Sequence, residues 1–164
     1  ISEYSETFEI PLSSGQNTIQ FSTHNQNGME SLKKMVSIFC NVKRPVNTYV
    51  VSIGISDYQD NEYDLNYAAK DANDIAAKFG TDVSKVFSIT DGNAVKEKVL
   101  AIKSELMKSK VDDRVVLFVA GHGLLDDNLD YYIGMHDVDF ENPAVRGLAY
   151  EDLEGLLDGS RARQ

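Results

Sequence analysis

Apolar positions change their spacing near residue 45, and that change divides the chain. Before it, short runs alternate: Thr7-Phe8-Glu9-Ile10, then Thr18-Ile19-Gln20-Phe21, then Met35 to Val42. Turn-rich stretches separate them, Ser13-Ser14-Gly15-Gln16-Asn17 and Asn25-Gln26-Asn27-Gly28. Period-two alternation bounded by Gly and Asn predicts antiparallel strands and hairpins. Residues 1–45 therefore read as a short N-terminal β segment, too few strands to close a sandwich, with Pro45 at the boundary. After it, Tyr49 to Ile55 is almost continuously apolar, as a strand buried on both faces should be. Ala68, Ala72, Ile75, Ala76 and Phe79 then recur at helical spacing. Val86 to Ile89 predicts a short strand. Val95, Val99, Ile102 and Leu106 predict one amphipathic helix, and Val115 to Ala120 a second buried strand. Tyr131-Tyr132-Ile133 predicts a short extra strand. Tyr150 to Leu157 opens another helix, with Glu151 and Asp152 in the first turn, where the helix dipole favours them. Alternating strands and helices imply right-handed crossovers. The fold class predicted for residues 46–164 is α/β: a three-layer α/β/α sandwich around a mostly parallel sheet.

Composition narrows the partners. With 16 Lys and Arg against 26 Asp and Glu in 164 residues, the net charge is −10. That disfavours nucleic acid and anionic membranes, which need basic faces. It suits a basic peptide or divalent cations, and solubility alone also accounts for it. No apolar run approaches the roughly 18 residues of a membrane span. The first residues, Ile1 to Glu9, have mid-domain character and include no initiator Met, so the chain is expected to be a piece of a longer one. A single cysteine, Cys40, excludes an internal disulfide and leaves the compartment open.

The candidate chemistry sits after the second buried strand, at Ala120-Gly121-His122-Gly123. Ligands in open α/β sheets bind beyond the carboxyl ends of the strands. A histidine there, between two glycines, is pinned by the sheet yet accessible, and the glycines leave backbone N–H groups open to a substrate oxygen. A loop histidine with a solvated ring fits the spacing equally well.

The residues Val115-Val116-Leu117-Phe118-Val119-Ala120-Gly121-His122-Gly123 resemble the strand and His-Gly pair of the caspase-like cysteine peptidases, metacaspases included. The stretch from Tyr49 to Gln59 is similar to that family's first strand and following loop, and Leu65 to Phe79 to its first helix. Leu129 to Asp139 resembles the short strand after the catalytic histidine, and Gly147 to Leu157 the next helix. The resemblance covers residues 48–160. Residues 14–31 resemble, more distantly, the last strands of a bacterial immunoglobulin-like sandwich.

The caspase-like resemblance implies a Cys–His dyad hydrolysing peptide bonds, with His122 as base and acid and the Gly123 N–H as an oxyanion donor. It places the cysteine after a further sheet strand, beyond Gln164, so residues 1–164 alone are expected to be inactive. Cys40 precedes the α/β region and is expected to be a small buried hydrophobe. Aligning the helix puts Leu65 where Asp-specific members carry an arginine. It puts Asp71 where metacaspases bind a basic P1 side chain, although Lys70 replaces their asparagine and a plain surface carboxylate is the alternative. Asp126, Asp127, Asp130, Asp137, Asp139 and Glu141 lie close together without Lys or Arg between them. A bound Ca²⁺ would relieve their repulsion, and some metacaspases need calcium, but the spacing is not an EF-hand. A solvated acidic loop is the plainer reading, with His136 beside it. No cofactor is otherwise implied.

Two other functions fit parts of the pattern. A non-catalytic caspase-like scaffold differs only at the nucleophile position. A phosphoacceptor receiver would use an acid such as Asp57 after the first strand, but it needs a second acid where His122 stands. An incomplete sheet would also expose an unpaired edge, favouring self-association.

Overall fold

The alternating runs of the first 45 residues form one hairpin, and a third expected strand is not made. In a computed structural model, which describes residues 5–79 and 85–163, the chain divides into two compact units, residues 1–45 and 46–164. In the first, β1 (Gly15–Phe21) pairs antiparallel with β2 (Lys34–Cys40), from Gly15 opposite Cys40 to Phe21 opposite Lys34. The turn at Asn25 closes with Gly28 N–H donating to Asn25 O at 2.9 Å, and Gly28 takes the left-handed φ of +78° that glycine tolerates. The turn expected over Ser13–Asn17 lies earlier, because Gly15 already opens β1. There the Asn17 amide reaches back to donate to Ser13 O at 2.8 Å. Thr7–Ile10 is not a strand. Its run is only four residues long and stops at Pro11, which has no N–H for a ladder. Phe8 and Ile10 instead line an open cavity of about 430 Å³ with Leu12, Ile19, Phe21 and Ile38.

The second unit is mixed α/β. Along the chain it contains β3 (Thr48–Gly54), α1 (Ala68–Phe79), β4 (Lys85–Thr90), α2 (Lys96–Ala101), α3 (Lys103–Leu106) and β5 (Arg114–Ala120). Then come β6 (Gly123–Leu125), β7 (Tyr131–Ile133), β8 (Leu148–Ala149) and α4 (Tyr150–Asp158). β4, β3 and β5 form a parallel sheet in that order, and Gly54 is level with both Thr90 and Ala120. β6, β7 and β8 form a separate antiparallel sheet.

The two faces of β3 are used differently. Ser52 Oγ donates to Ala72 O at 2.6 Å, and Gly54 lies so close to Ala68 and Ala72 that a Cβ there would collide with α1. The alternate residues Tyr49, Val51, Ile53 and Ile55 join a core with Val99, Ile102, Leu106, Leu153 and Leu156, from α2 to α4 and the link between α2 and α3. The expected single helix through Leu106 is interrupted at Ile102. There the N–H reaches back three residues, to Val99 O at 3.1 Å, the tighter bonding of a 3₁₀ turn. Val99, Ile102 and Leu106 remain buried despite the break.

β5 is not the fully buried strand its sequence predicts. Val115 to Ala120 are half-buried, because β5 has a neighbour, β3, on one side only of the three-stranded sheet. No described helix is long and apolar enough to cross a membrane.

Candidate active site

β5 delivers His122 to the carboxyl end of the sheet, and the loop after β3 determines how its ring sits. That loop is held by its own polar side chains. Asp91, just past β4 with a left-handed φ of 48°, accepts from the backbone N–H groups of Ser56 at 2.8 Å and Asp57 at 3.1 Å. Asp64 accepts from Tyr58 N–H at 2.9 Å. Ser56 Oγ accepts from Ala69 N–H at 2.9 Å, capping the start of α1, while Ser56 O accepts from Leu65 N–H at 2.8 Å. His136 braces the same loop, its Nδ1 lying 2.5 Å from Asp57 O and its carbonyl accepting from Gln59 N–H at 2.8 Å. Contacts made by four residues, Asp91, Asp64, Ser56 and His136, thus pair backbone groups of the loop that would otherwise go unsatisfied.

This rigid loop presents the carbonyl of Tyr63 to the ring of His122, with Nε2 2.8 Å from Tyr63 O. A carbonyl only accepts, so Nε2 must carry the proton and donate. In the neutral ring Nδ1 then keeps the lone pair. Three aromatic rings surround the imidazole. Tyr58 lies 5.3 Å away, Tyr63 6.2 Å and Phe140 5.7 Å, centroid to centroid. Tyr63 and Phe140 are themselves stacked, 3.6 Å apart and 8° from parallel. Beside that stack is a cavity of about 280 Å³, bordered by Asp60, Asp139, Glu141 and Arg146. Arg146 is already turned to Asp137, 3.5 Å from its carboxylate, so the carboxylates dominate the cavity's charge.

Gly123 opens β6 opposite Ile133. The bond from Gly134 N–H to His122 O, 2.8 Å, makes Gly123 and Ile133 a pair without mutual backbone hydrogen bonds. The Gly123 N–H consequently points away from β7, off the edge of its sheet. Tyr131 closes the space over Gly123 Cα, and any side chain at that position would strike its ring.

Asp71 is exposed in the first turn of α1, and its N–H donates to Tyr67 O at 2.8 Å. The rings against His122 come from other residues, and the structure records no contact between Asp71 and the imidazole. Cys40 lies in β2, in the other unit, as a half-buried free thiol. In the acidic segment the carboxylates serve turns. Asp126 Oδ1 accepts from the N–H groups of Asn128 and Asp130, at 2.8 and 3.0 Å. Asp139 Oδ1 accepts from those of Glu141 and Asn142, at 3.0 and 3.2 Å. Among the described residues no three His, Cys, Asp or Glu side chains converge as a metal site would require.

Sequence reasoning missed Tyr58, the Tyr63 carbonyl, Asp91 and Phe140. An acid just past a strand end, as in Thr90-Asp91-Gly92, was the one available signal. A backbone carbonyl leaves none.

A family model described as a caspase domain matches residues 48–156. No curated protein matches the chain. Among solved structures, a protein from Geobacter sulfurreducens superposes with a TM-score of 0.59 at 21% identity. The match covers 71% of this chain and 47% of that one, so the chain spans about half the length of that protein. At this identity the likeness establishes fold alone.

Proposed function

The chain belongs to the caspase domain family, a family of cysteine peptidases, and on that premise we propose that residues 46–164 supply the histidine half of a Cys–His peptidase site. The observation that carries this reading is the contact of His122 Nε2 with Tyr63 O at 2.8 Å. It leaves Nδ1 as the basic nitrogen, held by a group that does not titrate. In the proposed reaction Nδ1 takes the proton of a cysteine thiol, and the thiolate attacks the peptide carbonyl. The developing oxyanion is received by the Gly123 N–H, and Nδ1 returns the proton to the leaving amine. Water then attacks the thioester with Nδ1 again as base. The N–H of Gly123, directed off the sheet edge, supports the oxyanion role.

The nucleophile in this reading is a cysteine that follows Gln164 in the natural chain, on a strand added to the free edge of β5. That strand would extend the sheet of a three-layer α/β/α sandwich. Residues 1–45 would be part of an immunoglobulin-like domain. The site is proposed to prefer Arg or Lys at P1, with Asp71 as the acidic residue on the substrate side. Its exposure, and the carboxylates near Tyr63 and Phe140, support a cationic side chain.

The alternative reading is a non-catalytic scaffold of the same fold, which differs from the peptidase only at the nucleophile position.

The test is hydrolysis of fluorogenic peptides bearing Arg, Lys or Asp at P1 by a chain extended through its downstream cysteine, with and without Ca²⁺. The proposal expects cleavage after Arg or Lys that His122→Ala abolishes. It also expects Asp71→Ala to raise KM for basic P1 peptides. A folded extended chain that cleaves none of them would establish the scaffold instead.

A further inference from the structure

We propose that Tyr58 is a positioning residue for the site, its hydroxyl fixing the peptide group of the His122 N–H while Gly134 N–H holds the one that carries the Gly123 N–H. The inference rests on the peptidase reading and names a residue that acts through His122.

The parallel ladder between β3 and β5 ends with Ile55 N–H donating to Ala120 O at 3.0 Å. In a regular parallel ladder the next N–H along β5's path, that of His122, would find a carbonyl on β3. β3 has turned away by then, and its continuation is the loop that holds Tyr63. The Tyr58 hydroxyl takes the carbonyl's place and accepts from His122 N–H at 3.0 Å. The same hydroxyl is directed at Gly134 O, 3.4 Å away, while Gly134 N–H donates to His122 O at 2.8 Å. One side chain and one residue at the end of β7 therefore clamp both peptide planes flanking His122. The first plane sets the direction of the imidazole. The second contains the Gly123 N–H.

The hydroxyl suits that task because its surroundings allow it one orientation. Tyr58 is 1% exposed, its ring edge-on to Phe140 at 5.3 Å. Burial pushes its phenol above the ordinary value, so it stays protonated as a donor through the neutral range. Phenylalanine would fill the same space and leave the half-buried His122 N–H with no acceptor. The rings would still pack and Gly134 N–H would still hold His122 O, but the peptide plane of the His122 N–H would lose its tether. A displacement of about 1 Å in such groups costs on the order of 100-fold in rate.

The experiment is Tyr58→Phe in the extended, cysteine-containing chain, assayed with the best basic-P1 peptide. The expected result is a kcat lower by about 10- to 100-fold with KM within about twofold. The limb of the pH–rate profile that reports His122 should also shift. Amide hydrogen exchange on the wild-type 164-residue chain is the second measurement, and it does not depend on the variant folding. It should show the His122 N–H protected. A folded variant with unchanged kcat and pH profile overturns the proposal, and so does a rapidly exchanging His122 amide. Wild-type chain that cleaves no peptide overturns the peptidase reading and this role with it, so the two failures are told apart.

Discussion

β3 and β5 are written in the same apolar vocabulary, lie side by side in register, and end up in different environments. Six of the seven residues of β3 are buried, and none of the seven in β5 is. Composition does not separate them; neighbours do. Among the described residues β3 has a strand on each side, whereas β5 has a strand on one side only. An apolar run therefore does not by itself say how many strands stand beside it. β5 is also the strand that ends two residues before His122, the candidate catalytic residue.

The largest test of this contrast is a matched pair of truncations. Ile53→Ala on β3 should cost about 2–5 kcal/mol, the range for emptying a fully buried site. Leu117→Ala, half-buried on β5, should cost about half as much or less, since part of that surface is already wet. Urea denaturation of the two variants measures both, and equal losses would break the comparison. Next in size is Asp91→Ala, which strips the acceptor from two backbone N–H groups of the loop after β3. It should cost about 2 kcal/mol and loosen the carbonyl that holds His122. Urea midpoints read the first effect, and exchange rates of the Ser56 and Asp57 amides read the second.

The free flank of β5 should show itself in solution. Light scattering over a range of concentrations is expected to find reversible association, because an unpaired strand edge invites pairing. A monomer at every concentration would mean the edge is covered in some other way.

The smallest expected effect lies on the opposite edge of the sheet. Glu105 is held at about 2 by hydrogen bonds from Lys108 and from Lys85 of β4, with their charges adding to the effect. A carboxylate depressed on folding adds stability above its unfolded value, and that increment fades as pH falls toward the folded one. Melting temperature should therefore decline slightly more between pH 4.5 and pH 2 in wild type than in Glu105→Gln. The contacts are exposed, so the difference is expected to be small.

Much of the scaffold was legible because periodicity and burial have the same cause. Ala68, Ala72 and Ala76 marked the face of α1 that packs on β3, and Tyr131–Ile133 marked β7. Thr7–Ile10 misled because alternation over four residues cannot say whether a partner strand exists. β8 was missed because two residues carry no period, and β6 because Gly123-Leu124-Leu125 lacks the aromatic and β-branched residues that marked the equally short β7. In the site, His122 and Gly123 could be picked out from their place after an apolar strand. Tyr58 could not, since its partners His122 and Gly134 lie 64 and 76 residues away in sequence. Nor could the Tyr63 carbonyl, because every residue has one.

The most direct test of the site is the tautomer of His122, read from long-range ¹H–¹⁵N correlations of the imidazole in the 164-residue chain above its titration. The geometry predicts the proton on Nε2, hydrogen-bonded to Tyr63 O, with Nδ1 bare, as the proposed dyad requires of its base. A proton found on Nδ1 would mean that the Tyr63 carbonyl does not hold the ring, and would contradict the account of how this histidine is prepared for catalysis.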